Sequence, residues 1–245
     1  MPLEQKILAA TRALADAVAA HAPAVFTTSL GVEDMVVLDL IDRTGLAVEI
    51  VTLDTGRLHE ETYALLDAAR NRYGRPIRAF YPDAQALEAF VVENGVNSFY
   101  RGIDLRKQCC GIRKTEPLKR ALAAKGLWIT GLRREQSVTR AELDLLSHDP
   151  VHQLMKLSPL ADWTNDDVWA YARQFDVPTN PLHARGFPSI GCAPCTRAVE
   201  AGEDPRAGRW WWEQPESREC GLHITPDGRL VRAQSAPLHV AQAAG

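Results

Sequence analysis

The chain has 245 residues, of which 46% are hydrophobic, 24% charged and 7% aromatic, the balance of a soluble globular protein with a sizeable core. That length allows one large domain or two small ones. A formal net charge of −3 argues against a general nucleic-acid or membrane-surface binder, which needs a basic excess, and no uncharged stretch is long enough to span a bilayer.

At the N-terminus Leu3, Ile7, Leu14 and Val18 recur at helical spacing. Glu4, Lys6, Arg12 and Asp16 interrupt any signal-peptide core, so a cytoplasmic location is expected. Ala24 to Thr28 reads as a strand leading into Ser29-Leu30-Gly31-Val32-Glu33-Asp34, and a helical run through Met35, Val36, Leu38, Leu40 and Ile41 closes at Gly45. A second strand, Val48 to Leu53, ends in Asp54-Thr55-Gly56 before a helix from about Leu58 to Arg70. Pro76 to Tyr81 reads as a third strand, and Leu127 to Thr130, ending at Gly131, as a fourth. Strands alternating with helices predict an α/β fold, a parallel sheet flanked by crossover helices. Beyond about Pro178 the periodicity fades and Pro, Gly and Arg become frequent, as in a segment that covers a substrate. The run Trp210-Trp211-Trp212 reads as packing against the domain.

Five cysteines stand out: Cys109 and Cys110 are adjacent, Cys192 and Cys195 form a C-x-x-C, and Cys220 is alone. Adjacent Cα atoms lie about 3.8 Å apart, whereas a disulfide needs roughly 4.4 Å or more, so a bridge between Cys109 and Cys110 would be strained. Two pairs from distant segments suggest four ligands on one metal centre, with the fifth thiol left for chemistry. Four thiolates suit zinc or an iron–sulfur cluster, and residue type does not choose between them. Arginine groups beside these motifs suit a small polyanionic ligand.

In open parallel sheets ligands bind at the carboxyl ends of the strands. Ser29-Leu30-Gly31, Leu53-Asp54-Thr55-Gly56 and Gly131-Leu132-Arg133-Arg134 all fall there. The first reads equally as an anion-binding turn at a helix N-terminus or as a plain strand-to-helix turn. Neither G-x-G-x-x-G nor G-x-x-x-x-G-K-S/T occurs, which removes support for ordinary dinucleotide and P-loop readings.

Taken in order, Ser29-Leu30-Gly31-Val32-Glu33-Asp34, Leu53-Asp54-Thr55-Gly56-Arg57-Leu58-His59, Cys109-Cys110, Gly131-Leu132-Arg133-Arg134-Glu135-Gln136-Ser137, Cys192 with Cys195, and Glu219-Cys220-Gly221-Leu222-His223 resemble the assimilatory sulfonucleotide reductases. The resemblance spans about residues 24–223. It implies an adenine-nucleotide α-hydrolase-like fold related to the PP-loop pyrophosphatases, with residues 1–205 as the nucleotide-binding α/β domain and 206–245 as a C-terminal catalytic tail. It implies reduction of adenylyl sulfate (APS) to sulfite and AMP in sulfate assimilation and cysteine biosynthesis, with Cys220 as nucleophile and thioredoxin or a similar dithiol protein as partner. One [4Fe-4S] cluster per chain would sit on Cys109, Cys110, Cys192 and Cys195. Substrate contacts carry over to Ser29, Gly31, Leu53, Thr55, Lys114, Gly131, Arg140, Arg206 and Arg209. Relative to the S-G-G-x-D-S of PP-loop ATPases, Leu30 replaces a glycine and Glu33-Asp34 the ending, which fits a sulfate in place of a pyrophosphate. A homo-oligomer is compatible with the sequence. The alternatives are a reductase preferring the 3′-phosphorylated substrate (PAPS), an ATP pyrophosphatase, and a non-enzymatic zinc-binding module.

Overall fold

The computed structural model describes residues 1–136 and 143–214. Helix α1 (Leu3–Ala20) buries Leu14, Ala17 and Val18 along one stripe and precedes β1 (Ala24–Thr28). Helix α2 (Val32–Thr44) follows, then β2 (Val48–Leu53), α3 (Glu60–Tyr73) and β3 (Ile77–Phe80). Left-handed glycines end two of these helices, Gly45 at φ 63° and Gly74 at φ 60°, a conformation that costs a glycine no Cβ clash. Helix α4 (Ala84–Asn94) starts at Asp83, whose carboxylate accepts the Ala86 N–H at 2.8 Å. Helix α5 (Ile103–Cys110) runs through a π turn at Gly111–Thr115 into α6 (Glu116–Leu122). Next come β4 (Leu127–Ile129), a hairpin of β5 (Leu146–Asp149) and β6 (Leu154–Leu157), and α7 (Asn165–Gln174). The α7 start is a capping box between Thr164 and Asp167.

The six strands form one sheet in the order β3-β2-β1-β4-β6-β5, parallel except for β5 against β6. Strands β1 and β4 are central, and their side chains alternate between two apolar layers. Phe26, Leu127 and Ile129 join α1, α2 and α7 on one face, while Val25, Val51 and Trp128 join α6 on the other. Helix α2 buries Val32, Met35, Val36, Val37, Leu38, Leu40 and Ile41, each worth about 1.5–3 kcal/mol of transfer free energy against exposure. Because β2 lies on one side of β1 and β4 on the other, the chain reverses its winding between β1 and β4. That switch point opens a crevice at their carboxyl ends.

The α/β expectation is met, with small shifts in bounds. The third strand is trimmed to Ile77–Phe80 and the fourth to Leu127–Ile129, while the helix expected over Leu58–Arg70 runs from Glu60 to Tyr73. The antiparallel β5 is an addition to the expected parallel sheet.

Candidate active site

A cleft of about 750 Å³ opens over the carboxyl ends of β1, β2 and β4. Its walls include Ser29, Gly31, Leu53, Thr55, Lys114, Gly131, Arg206 and Arg209, so eight of the nine expected substrate contacts meet in one place. The ninth, Arg140, and the expected nucleophile Cys220 lie outside the described residues.

The turn from β1 into α2 forms one wall. Leu30 sits at φ 61° with its side chain buried, and its N–H donates to Thr28 Oγ1 at 2.9 Å. A non-glycine residue in the left-handed region is uncommon and costs of order 1–3 kcal/mol. Gly31 is the N-cap of α2 and no side chain caps this end, which leaves the first-turn N–H groups for an anion. The two acidic residues of that turn are engaged elsewhere. Glu33 Oε1 accepts from Arg133 Nη2 at 2.7 Å and Nε at 3.1 Å, and the buried Arg133 also reaches Glu135 at 2.9 Å and the Trp163 carbonyl at 3.2 Å. Asp34 Oδ2 accepts the Ser29 N–H at 2.6 Å and the Ser29 hydroxyl at 2.7 Å. Burial pushes the Asp34 carboxyl up to about 6, against the pull of the Ser29 hydrogen bonds and with a further push from Glu33.

The Asp54-Thr55-Gly56 turn after β2 is held by its own residues. Asp54 accepts the Gly56 N–H and the Tyr63 hydroxyl, each at 2.8 Å. Thr55 is almost fully buried between the cleft and the cysteines. Its Oγ1 accepts the Arg57 N–H at 3.2 Å and lies 3.3 Å from Cys192 Sγ, and its carbonyl accepts from Arg113.

Cys109 and Cys110 end α5, and Cys192 and Cys195 flank a short 3-10 turn. All four are buried thiols, none in a disulfide, within one apolar cluster that also holds Phe90, Phe99 and Trp210. Burial lifts the Cys195 thiol to about 12, and the charges of the other three cysteines add to it. Burial also raises Cys109, against the pull of Arg113. For Cys192 burial disfavours the thiolate, but Lys114, the Thr55 hydroxyl, Arg209 and Arg113 outweigh it and bring the thiol below its ordinary value. As their side chains stand, no three His, Cys, Asp or Glu residues are arranged to hold a metal ion among the described residues.

A buried ion pair joins α5 to the segment that follows Trp210. Arg106 of α5 donates through Nε and Nη2 to the two Glu213 oxygens at 2.9 and 2.8 Å, with its guanidinium over the Trp210 ring. Arg209 donates to Ser189 Oγ at 3.2 Å and lies flat against Gly191, where a Cβ would overlap its guanidinium. Trp210 is buried and Trp212 packs on Phe99 and Tyr100, as expected of packing residues, while Trp211 is exposed. His59 occupies the α3 N-cap position, yet its ring makes no cap bond and packs edge-on to Phe187. Arg133, Asp34 and His183 also line the cleft. Sequence reasoning places Arg133 only in an arginine group suited to a polyanion, gives Asp34 no contact role and does not single out His183. Only the short spacing of Asp34 from Ser29 hinted at a local bond.

A cation-lined cleft of nucleotide size, at the switch point of a mostly parallel sheet, defines a nucleotide-binding α/β protein. The model of the phosphoadenosine phosphosulfate reductase domain matches residues 23–198, and the chain belongs to that family. It is 56% identical over 205 residues to the adenosine 5'-phosphosulfate reductase of Burkholderia cepacia, covering 84% of this chain and 82% of that one. Among solved structures it is similar to the phosphoadenylyl-sulfate reductase of Candida auris in its phosphate complex, with a TM-score of 0.66 and 26% identity over 78% of this chain and 90% of that one. Yeast FAD synthetase in complex with FAD shares the fold, with a TM-score of 0.54 and 16% identity over 80% of this chain and 67% of that one.

Proposed function

We propose that this chain is a thioredoxin-dependent APS reductase of sulfate assimilation, acting toward cysteine biosynthesis. The observation that carries the reading is the convergence of Lys114, Arg206 and Arg209, from two distant segments, on one cleft with the uncapped start of α2. The name borne by the Burkholderia cepacia relative supports it. These cations suit the phosphosulfate, and Leu53, Thr55 and Gly131 suit the adenosine side. The Cys220 thiolate attacks the sulfate sulfur, the S–O bond to the phosphate breaks, and AMP leaves, giving S-sulfocysteine. Cations at the site offset repulsion between thiolate and sulfate. An outside dithiol then attacks Cys220 Sγ, sulfite leaves with the electron pair, and the second thiol of the partner resolves the mixed disulfide. Arg140 belongs to the same substrate set, and the C-terminal segment 206–245 brings the nucleophile to the domain of residues 1–205.

The donor set fits a [4Fe-4S] cluster: four buried thiols outside any disulfide share one apolar cluster beside Arg113, Lys114 and Arg209. Cys109, Cys110, Cys192 and Cys195 would hold it, one per chain. Bound there, it supplies a fixed centre that tunes the charge around Lys114 without carrying electrons. No helix among the described residues is long and apolar enough to cross a membrane; a cytoplasmic location is part of the proposal.

Anaerobically purified protein is assayed for sulfite release with thioredoxin on APS and PAPS at equal concentration. Preference for APS, together with loss of S-sulfocysteine and of sulfite in Cys220→Ser, is the expected result. Preference for PAPS, the substrate in the Candida auris protein's name, would keep the mechanism and change the nucleotide. Sulfite from Cys220→Ser would end the covalent scheme, and a colourless zinc protein without acid-labile sulfide would end the cluster assignment.

A further inference from the structure

The crevice of an open α/β sheet is bounded by the two loops that leave its switch-point strands. Here these are Ser29-Leu30-Gly31 after β1 and Gly131 after β4. Nothing in the backbone ladder ties them together beyond the strand ends, so their separation depends on side chains. One carboxylate bridges them. Asp34 Oδ2 takes both the N–H and the hydroxyl of Ser29, at 2.6 and 2.7 Å. The same carboxylate packs directly against Gly131, whose backbone N–H favours its charged form.

Gly131 seats directly on this group. A Cβ there would overlap Asp34 Oδ1 and lie 3.1 Å from the Asp34 nitrogen and 3.2 Å from the Glu33 carbonyl carbon. The neighbouring Glu33 cannot serve the same end, because Arg133 holds it away through two hydrogen bonds.

We infer that Asp34 is a positioning residue: its carboxylate clamps the Ser29 loop to the Gly131 loop and so sets the width of the nucleotide crevice. This rests on the nucleotide-binding reading of the cleft. The electrostatics carry a cost that favours such a role over simple ligand contact. A carboxylate beside an anion site opposes anion binding, so its benefit lies in geometry. Held in place, Ser29 and Gly131 present their groups to the ligand at a fixed spacing, and the ligand then need not order two loops on binding.

The test measures AMP binding by titration calorimetry on the cluster-loaded full chain, with KM and kcat for APS alongside. Asp34→Asn keeps the shape but offers one acceptor oxygen, so a donor must face a donor on one side of the clamp. Its Kd for AMP and KM for APS are expected to rise about tenfold, with a smaller fall in kcat and a wild-type circular dichroism spectrum. In a cycle with Ser29→Ala, the serine substitution is expected to cost less in the Asp34→Ala background than alone. Wild-type AMP affinity in a folded Asp34→Asn, or full additivity in the cycle, would overturn the inference while leaving the nucleotide reading intact. If the wild type itself bound neither AMP nor APS, the nucleotide reading would fall and the clamp with it.

Discussion

Replacing Glu213 with alanine leaves the Arg106 guanidinium, 1% exposed, without the carboxylate that receives two of its hydrogen bonds. Breaking one side of a buried pair costs about 3–5 kcal/mol, because the remaining charge stays desolvated. For a chain of this size about 1 kcal/mol moves the melting temperature by roughly 2–4 °C, so a fall of roughly 6–20 °C follows. Glu213 lies in an irregular run of turns outside any helix or strand, whereas Arg106 lies within α5, one turn before Cys109 and Cys110. The loss should therefore register first as local opening of the segment around Trp210, before the sheet melts. Thermal denaturation followed by near-UV circular dichroism, with limited proteolysis at 25 °C, reads both effects. Substituting both partners with methionine should recover most of the stability, since an apolar pair of similar volume needs no compensation. A Glu213→Ala protein that melts within about 2 °C of wild type and resists protease equally would refute the reasoning.

Gly131→Ala forces a Cβ against the Asp34 carboxylate; overpacking of this kind costs about 1–3 kcal/mol, and AMP affinity measured by calorimetry should fall with the melting temperature. Asp34 also gives a pH signature. Its folded pKa, about 6, lies above the ordinary aspartate value of about 3.9, so between these values the native state holds more of the proton and the contribution of this group to stability falls as pH rises. Asp34→Asn removes that contribution, and a plot of melting temperature against pH from 4 to 6 should slope more steeply upward than in wild type; parallel plots would contradict the assignment. Tyr171→Phe deletes the hydroxyl that donates to buried Asp39 at 2.7 Å, while Tyr73 at 3.2 Å and Arg43 still reach that carboxylate. A cost of about 1–2 kcal/mol in urea unfolding is expected, with reductase activity unchanged.

Strands β1 and β2 were legible to the residue because β-branched runs end at turn residues there. The α3 end was placed early, at Arg70, because the helix runs on to its left-handed glycine, Gly74. Strand β5 was not legible: Leu146-Ser147-His148-Asp149 lacks an apolar alternation, and only pairing with β6 makes it a strand. The meeting of the four cysteines was readable from residue type, since buried thiols in two pairs have few other uses. The contacts that shape the cleft were not. Glu33 with Arg133 and Arg106 with Glu213 join residues far apart in sequence, and composition carries no trace of which acid meets which arginine.

The widened helical turn at Gly111–Thr115 sets a length rule for the chain. It places Cys109 and Cys110 on the α5 side, sends buried Arg113 to the Thr55 carbonyl, and puts Lys114 on the cleft wall. A π turn holds one residue more than the helix on either side needs. Deleting any one residue there would restore a regular helix, keep the flanking helices in register, and remove the widened turn from which Arg113 and Lys114 project. A Cβ at Gly111 meets no atom within 4 Å, so this spacer tolerates a change of side chain there far better than a change of count. Insertions and deletions, rather than substitutions, are the changes that would shift Cys109 and Cys110 against Lys114 on the cleft wall.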